Sequence, residues 1–351
     1  MIRSWTALAL ASILAASFLA PASAIAGKIV KIDGYLDYKK SNLLIVDGQR
    51  VQFGSSTRFK GSGVKTISAI PVGYEVKGEG SRDSYGTIVA TRIEAKPNGT
   101  AMYENDVLVG TNHAESTYVK AGKIVDVGAD GKEQSIGALK KTGPEVDRAR
   151  RIVDRLLPAY VNPKSVRVYV VENKEWNAMA MANFSIYVFS GIMADLSDDE
   201  LSIVLGHEIT HATYEHSRRQ AQKGLYSGIG GSIASLGASR LPPGIARDAA
   251  QLATAVGATT FNNSYSRVYE DQADRVGLRY VYEAGYDYRK APPLWRRFAE
   301  KYGDGSKIEN FFFGDHSLST KRAAALELEI KNNYRDPAKD PPAHAATAPK
   351  R

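Results

Sequence analysis

His207-Glu208-Ile209-Thr210-His211 reads H-E-x-x-H, the residue types and spacing of a metal site that does hydrolysis. Residues four apart on a helix share a face, so both imidazoles can reach one ion. Glu208 projects beside that face, where it can take a proton from a water activated by the metal. The chain has six histidines and no cysteine, so thiolate ligands and disulfides are excluded. The plain alternative is a packing helix that happens to carry two His and one Glu.

The flanking residues predict the helix that must carry this face. Ser197-Asp198-Asp199-Glu200 is a capping-box start, with Ser197 as N-cap and Glu200 three residues on. Leu201, Val204, Leu205 and Ile209 supply apolar positions at helical spacing, and the helix is expected from Asp198 to about Gln220. Gly206 costs helix propensity, and a small residue there lets another element pack close to the metal. A catalytic zinc takes three protein ligands and one open position. The metzincin spacing fails, because Tyr214 and Ser217 stand where its Gly and third His would be. Glu215 and His216, too close along the same helix, read as solvated surface. A second helical stretch, Ser266 to Val281, places Glu270 and Asp274 four apart on one face. Glu270 can ligate, and Asp274 can accept the free ring N–H of a ligand histidine and fix its tautomer. An ordinary acidic helix face beside Arg267 and Arg275 is the competing reading.

With these residues in hand, the chain resembles the gluzincin metallopeptidase family that contains the CAAX prenyl protease, HtpX and BepA. The matching pieces come in family order: Asn177-Ala178-Met179-Ala180, then Ser185 to Gly191, then Leu201 to His211, then Ser266-Arg267-x-x-Glu270-x-x-Ala273-Asp274. His316, six residues before Arg322, resembles a downstream H-P-x-x-x-x-R element, although Ser317 replaces the proline. The resemblance covers roughly the last two-thirds of the chain. It implies a zincin-type helical domain with a small sheet, one zinc per chain held by His207, His211 and Glu270, and Glu208 as general base. Two His and a carboxylate also suit iron. His316 is the first candidate for the oxyanion donor and Arg322 the second. His316 could instead occupy the open metal position and hold the enzyme shut, and Arg322 could instead pair with Glu327 on a helix surface. The resemblance further implies a substrate-binding edge strand, Asn183-Phe184-Ser185-Ile186-Tyr187-Val188-Phe189, to which a protein or peptide substrate adds as an extra strand.

The rest of the chain sets the context. Residues 1–24 read as a signal peptide: Arg3, an apolar run from Ala7 to Ala20, and cleavage after Ala24 or Ala26. A bacterial periplasmic or secreted protein is expected. The formal charge of +8 suits a solvated surface, with peripheral contact to membrane or cell-wall polymers as an option. No basic motif with interleaved aromatics appears, which argues against nucleic acid as a partner. Residues 27–97 show short β-rich runs separated by turns such as Asp47-Gly48, which predicts a small all-β, barrel-like domain resembling OB-like modules. Pro97-Asn98-Gly99 marks a boundary, and residues 101–335 form the expected α+β peptidase domain. Leu225 to Gly257, rich in Gly, Ala and Ser, reads as a lid, a membrane-contacting element or a helical hairpin. Residues 336–351 read as a disordered tail. The functions open at this point are a zinc endopeptidase for unfolded or misassembled exported proteins, a latent protease acting as a chaperone, and a polymer-binding module centred on the β domain. The oligomeric state is not encoded in any motif.

Overall fold

The computed structural model describes residues 29–97, 119–127, 132–181, 183–217, 219–220, 265–303 and 319–334. The expected signal peptide, the 225–257 segment, His316 and the 336–351 tail lie outside the described residues. No helix among the described residues is long and apolar enough to cross a membrane.

The N-terminal part is a six-stranded sheet built from β1 (Ile29–Lys40), β2 (Leu43–Val46), β3 (Gln49–Gln52), β4 (Arg58–Gly61), β5 (Glu75–Arg82) and β6 (Ile88–Lys96), in the order β3-β2-β1-β5-β6-β4. A further parallel pairing of β3 with β6, Val51 opposite Ile88, joins the ends of the run β3-β2-β1-β5-β6 into a ring. The ring leaves β4 as the terminal strand and encloses a core of Ile32, Leu36, Leu44, Val51, Val76, Ile88 and Ile93. The β1 strand is three times longer than its apolar start suggests, and β4 has no recognisable apolar run. Both owe their strand geometry to neighbours, β5 and β6, rather than to local pattern.

The second part is α+β. Its sheet runs β11-β12-β10-β9-β8-β7, with β7 (Val119–Lys120), β8 (Lys123–Val127), β9 (Glu133–Lys140), β10 (Arg167–Val171), β11 (Ala178–Ala180) and β12 (Ser185–Phe189). Its α-helices are α1 (Pro144–Leu156), α2 (Ser190–Asp195), α3 (Asp198–Thr213), α4 (Arg267–Glu283), α5 (Ala291–Tyr302) and α6 (Ser319–Asn333), among the described residues. Helix α1 buries Val146, Ala149, Ile152, Val153 and Leu156, the helical spacing that faces β10 and α3.

The sheet order corrects one expectation. Strand β12 pairs in parallel with β10 and antiparallel with β11, so Ser185 to Phe189 offer no free edge, and Asn183 and Phe184 lie in the turn before it. All five β12 residues are buried, because a strand paired on both sides and covered by helices suits a continuous apolar run. Among the described residues, β11 is the terminal strand on that side.

Candidate metal centre

Helix α3 begins as its sequence dictates. Ser197 Oγ accepts from the Glu200 backbone N–H, and the Ser197 N–H donates to Glu200 Oε2 at 3.0 Å, completing the capping box. The helix is shorter than expected. It ends at Thr213, and Glu215 adopts φ +52°, a left-handed conformation that turns the chain. The reading of Glu215 and His216 as solvated surface is therefore wrong. The turn swings His216 inward, where it is fully buried, and Glu215 accepts from the Tyr35 hydroxyl.

Helix α4 crosses α3 in backbone contact. A Cβ on Gly277 would meet Gly206 C and His207 N at 2.7 Å, and one on Gly206 would meet Gly277 O at 2.9 Å. The two glycines thus set the spacing between the helix that carries His207 and His211 and the one that carries Glu270 and Asp274.

Donor atoms of three side chains converge at that crossing. His207 Nε2 lies 3.1 Å from His211 Nε2, His207 Nε2 lies 3.4 Å from Glu270 Oε2, and His211 Nε2 lies 3.5 Å from Glu270 Oε1. Ligands about 2.0–2.1 Å from a tetrahedral ion stand about 3.3 Å apart, so this triangle has the right size for a small divalent cation. All three residues are buried, and they are the group of His and carboxylate side chains among the described residues whose donors cluster in this way.

The spare nitrogens point away from the triangle. His207 Nδ1 donates to Asp274 Oδ1 at 2.9 Å, and His211 Nδ1 lies 2.9 Å from His216 Nδ1. Arg322 grips Asp274 through Nε to Oδ2 at 2.8 Å and Nη2 to Oδ1 at 2.6 Å, with its guanidinium 3.6 Å from the centre of the Trp295 ring. It is buried rather than on a helix surface, and Glu327 pairs with Arg296 instead. Glu208 is nearly buried, and its Oε2 accepts from the Ala180 N–H of strand β11 at 3.3 Å.

The electrostatics follow from burial and pairing. Burial and Arg322 both oppose a charged His207, yet Asp274 and Glu270 outweigh them and lift it to about 9. Burial also opposes ionised Asp274, but the adjacent Arg322 guanidinium holds its carboxyl below the usual range. Burial pushes His216 down to about 3, against its hydrogen bond to Gln272 and the Glu270 carboxylate. Residues 145–330, more than half of the 351, match Peptidase family M48. The chain belongs to that family. Residues 26–94 separately match a domain of unknown function, DUF5666.

Similar family members include the metalloprotease LoiP of Escherichia coli, 28% identical over 46% of this chain and 62% of LoiP. The bovine mitochondrial metalloendopeptidase OMA1 is 29% identical over 46% of this chain and 32% of its own length. The beta-barrel assembly-enhancing protease of E. coli is 26% identical over 58% of this chain and 46% of its own. The chain thus spans from just under a third to under two-thirds of the length of these relatives.

The residues that reasoning from sequence missed are His216 and Gln272. Their only local signal is a third histidine five residues after His211 and an amide two residues after Glu270.

Proposed function

We propose that this M48 member is an exported zinc endopeptidase acting on unfolded or misassembled proteins. The observation that carries the reading is the buried triangle of His207 Nε2, His211 Nε2 and Glu270 carboxylate oxygens beside Glu208. The donor set fits zinc: two imidazole nitrogens and one carboxylate, each histidine oriented by a bond from its other nitrogen. A bound zinc supplies a Lewis acid for the scissile carbonyl and acidifies water.

The protein groups divide the remaining work. Glu208 takes the proton from the attacking water and returns it to the leaving amine. The Ala180 N–H bond keeps its carboxylate beside β11, so peptide bonds presented along that strand fall within its reach. We assign substrate pairing to β11, the terminal described strand, in place of the 183–189 run. Asp274 fixes the His207 tautomer, and Arg322 holds Asp274 rather than serving as oxyanion donor. That donor role stays with His316. Export rests on the residue pattern of positions 1–24. A relative named for enhancing beta-barrel assembly supports a role in protein assembly, which suits misassembled substrates.

Metal content and casein cleavage, measured on wild type and Glu208→Gln, test the reading. One zinc in both, with cleavage only in wild type, is expected. Zinc in both with cleavage in neither would favour the latent, chaperone-like alternative. No zinc in folded wild type would end the metal assignment.

A further inference from the structure

The second histidine of the metal site is joined to the N-terminal domain by an unbroken hydrogen-bonded line. His211 Nδ1 meets His216 Nδ1 at 2.9 Å, and His216 Nε2 meets Gln272 Oε1 at 2.9 Å. Gln272 Nε2 then donates to Asp37 Oδ1 at 2.7 Å and to Asp47 Oδ1 at 2.9 Å. His211, His216, Gln272 and Asp37 are all buried.

The polarity of this line is fixed from the β-domain end. Ionised carboxylates only accept, so two of them on one side of Gln272 require its NH2 there. The carbonyl oxygen therefore faces His216, and Arg219 Nη1, 3.3 Å from the same oxygen, makes the same demand. An oxygen that only accepts requires a proton on His216 Nε2. A second proton on Nδ1 would bury an imidazolium beside the Arg219 guanidinium, which is costly. His216 Nδ1 is thus the lone-pair nitrogen, and His211 Nδ1 must carry the proton that joins them. The lone pair of His211 is then on Nε2, the atom facing His207 and Glu270. Turning the Gln272 amide over would reverse every link and place a proton on that atom, where it blocks ligation.

Two backbone devices deliver the carboxylates. The β1–β2 register passes from Leu36 opposite Val46 to Tyr38 opposite Ile45, and Asp37 is the residue skipped at this bulge. Asp47 and Gly48 take φ +45° and +74° at the β2–β3 turn, the two-residue turn that follows the strand twist. The devices lock to each other: Gly48 N–H donates to Asp37 Oδ2 at 2.8 Å, and Tyr35 N–H donates to Asp47 Oδ1 at 3.1 Å.

We propose that the N-terminal β domain is a positioning element of the metal centre. Asp37 and Asp47 hold Gln272 in the one amide orientation that, through His216, presents His211 Nε2 as a lone pair. The inference rests on the metal-site reading for its last link.

The test uses the full-length protein labelled with 15N-histidine, metal-free at pH 7, with ring 15N–1H correlation spectra assigned by His216→Gln. The expected spectrum has neutral His216 protonated on Nε2 and neutral His211 protonated on Nδ1. In the double variant Asp37→Asn/Asp47→Asn, the new amide at position 37 keeps its oxygen on the Gly48 N–H only by turning its NH2 against that of Gln272. Mixed tautomers at His211 and His216 are then expected, with zinc affinity down about tenfold or more in chelator competition. A wild-type spectrum with His216 protonated on Nδ1 overturns the inference. So does a folded double variant that keeps wild-type tautomers and zinc affinity within twofold. If the double variant does not fold, the wild-type spectrum decides alone. Failure of wild type to bind zinc overturns the metal-site reading itself, whereas wrong tautomers in a zinc-binding wild type overturn only the positioning role.

Discussion

Replacing Gly277 by alanine should open the metal site without touching a ligand. The added Cβ would stand 2.7 Å from Gly206 C and His207 N, both backbone atoms that cannot swing aside. Carbon contacts relax at about 3.5 Å, so α3 and α4 must part by roughly 0.8 Å. Such overpacking costs about 1–3 kcal/mol, and alanine returns about 1 kcal/mol of helix propensity. The net loss of about 1 kcal/mol lowers Tm by only a few degrees. The metal site suffers more, because both His–Glu270 edges, 3.4 and 3.5 Å, cross the widened gap. Stretched to roughly 4.2 Å, they exceed the edge of a tetrahedral set, and zinc affinity should fall at least tenfold. Chelator competition gives the affinity and a thermal melt gives the stability, with Gly54→Ala, which meets open space, as control. Zinc affinity within threefold of wild type in Gly277→Ala would refute the claim that glycine contact sets the site's dimensions.

Other perturbations separate the supports. Asp274→Asn removes the charge and one of the two oxygens that accept from His207 and Arg322, so one of these donors must face an amide NH2 and zinc affinity should drop about 10–100-fold; an unchanged affinity would remove Asp274 from the site's design. Burial lifts Asp37 from 3.8 to about 6, against Arg275 and Gln272. The folded state therefore holds an extra proton between those values, and stability declines as pH rises through them. Asp37→Asn lacks this dependence, so its stability relative to wild type should improve from pH 4 to pH 7 by up to about 3 kcal/mol. A difference that stays flat with pH in paired melts would show that Asp37 ionises normally. Ser197→Ala should cost about 1 kcal/mol in denaturant titration through the lost cap, with zinc affinity unchanged, since the cap lies ten residues from His207. A matching loss of zinc binding would mean that the helix start and the metal face are coupled.

The legible part of this protein is the part whose geometry is local. Two histidines four apart, a carboxylate pair four apart on a second helix, and a capping box each have a fixed meaning on a 3.6-residue period. Those rules bring His207, His211, Glu270 and Asp274 to neighbouring positions. The same period misplaced His216. Extending α3 to Gln220 put His216 on an outer face, whereas the left-handed Glu215 ends the helix and turns the next residue inward. The 183–189 run reads as a strand, and Ser185 to Phe189 form one. Whether a strand is an edge depends on what pairs beside it, and the short Ala178–Ala180 segment that covers it has too few residues to announce a strand by alternation.

Long-range partners leave still weaker traces. Asp47-Gly48 reads as a hairpin turn, which it is, but nothing local says that the aspartate also reaches Gln272, 225 positions later. Gly206 signals a close approach without naming Gly277 as the residue that approaches. The two hidden contacts act on the site by different physics. The glycine crossing fixes how far apart the ligand-bearing helices stand, through backbone repulsion that does not depend on ionisation. The line from Asp37 and Asp47 fixes which nitrogen of His211 offers a lone pair, through donor and acceptor polarity that reverses if one amide turns over. Distance without the right tautomer leaves a proton between ligand and ion, and the right tautomer at the wrong distance leaves no bond. The site needs both, and the second is supplied by the N-terminal β domain. That makes this domain part of the metal centre's construction, although every liganding side chain belongs to the peptidase domain.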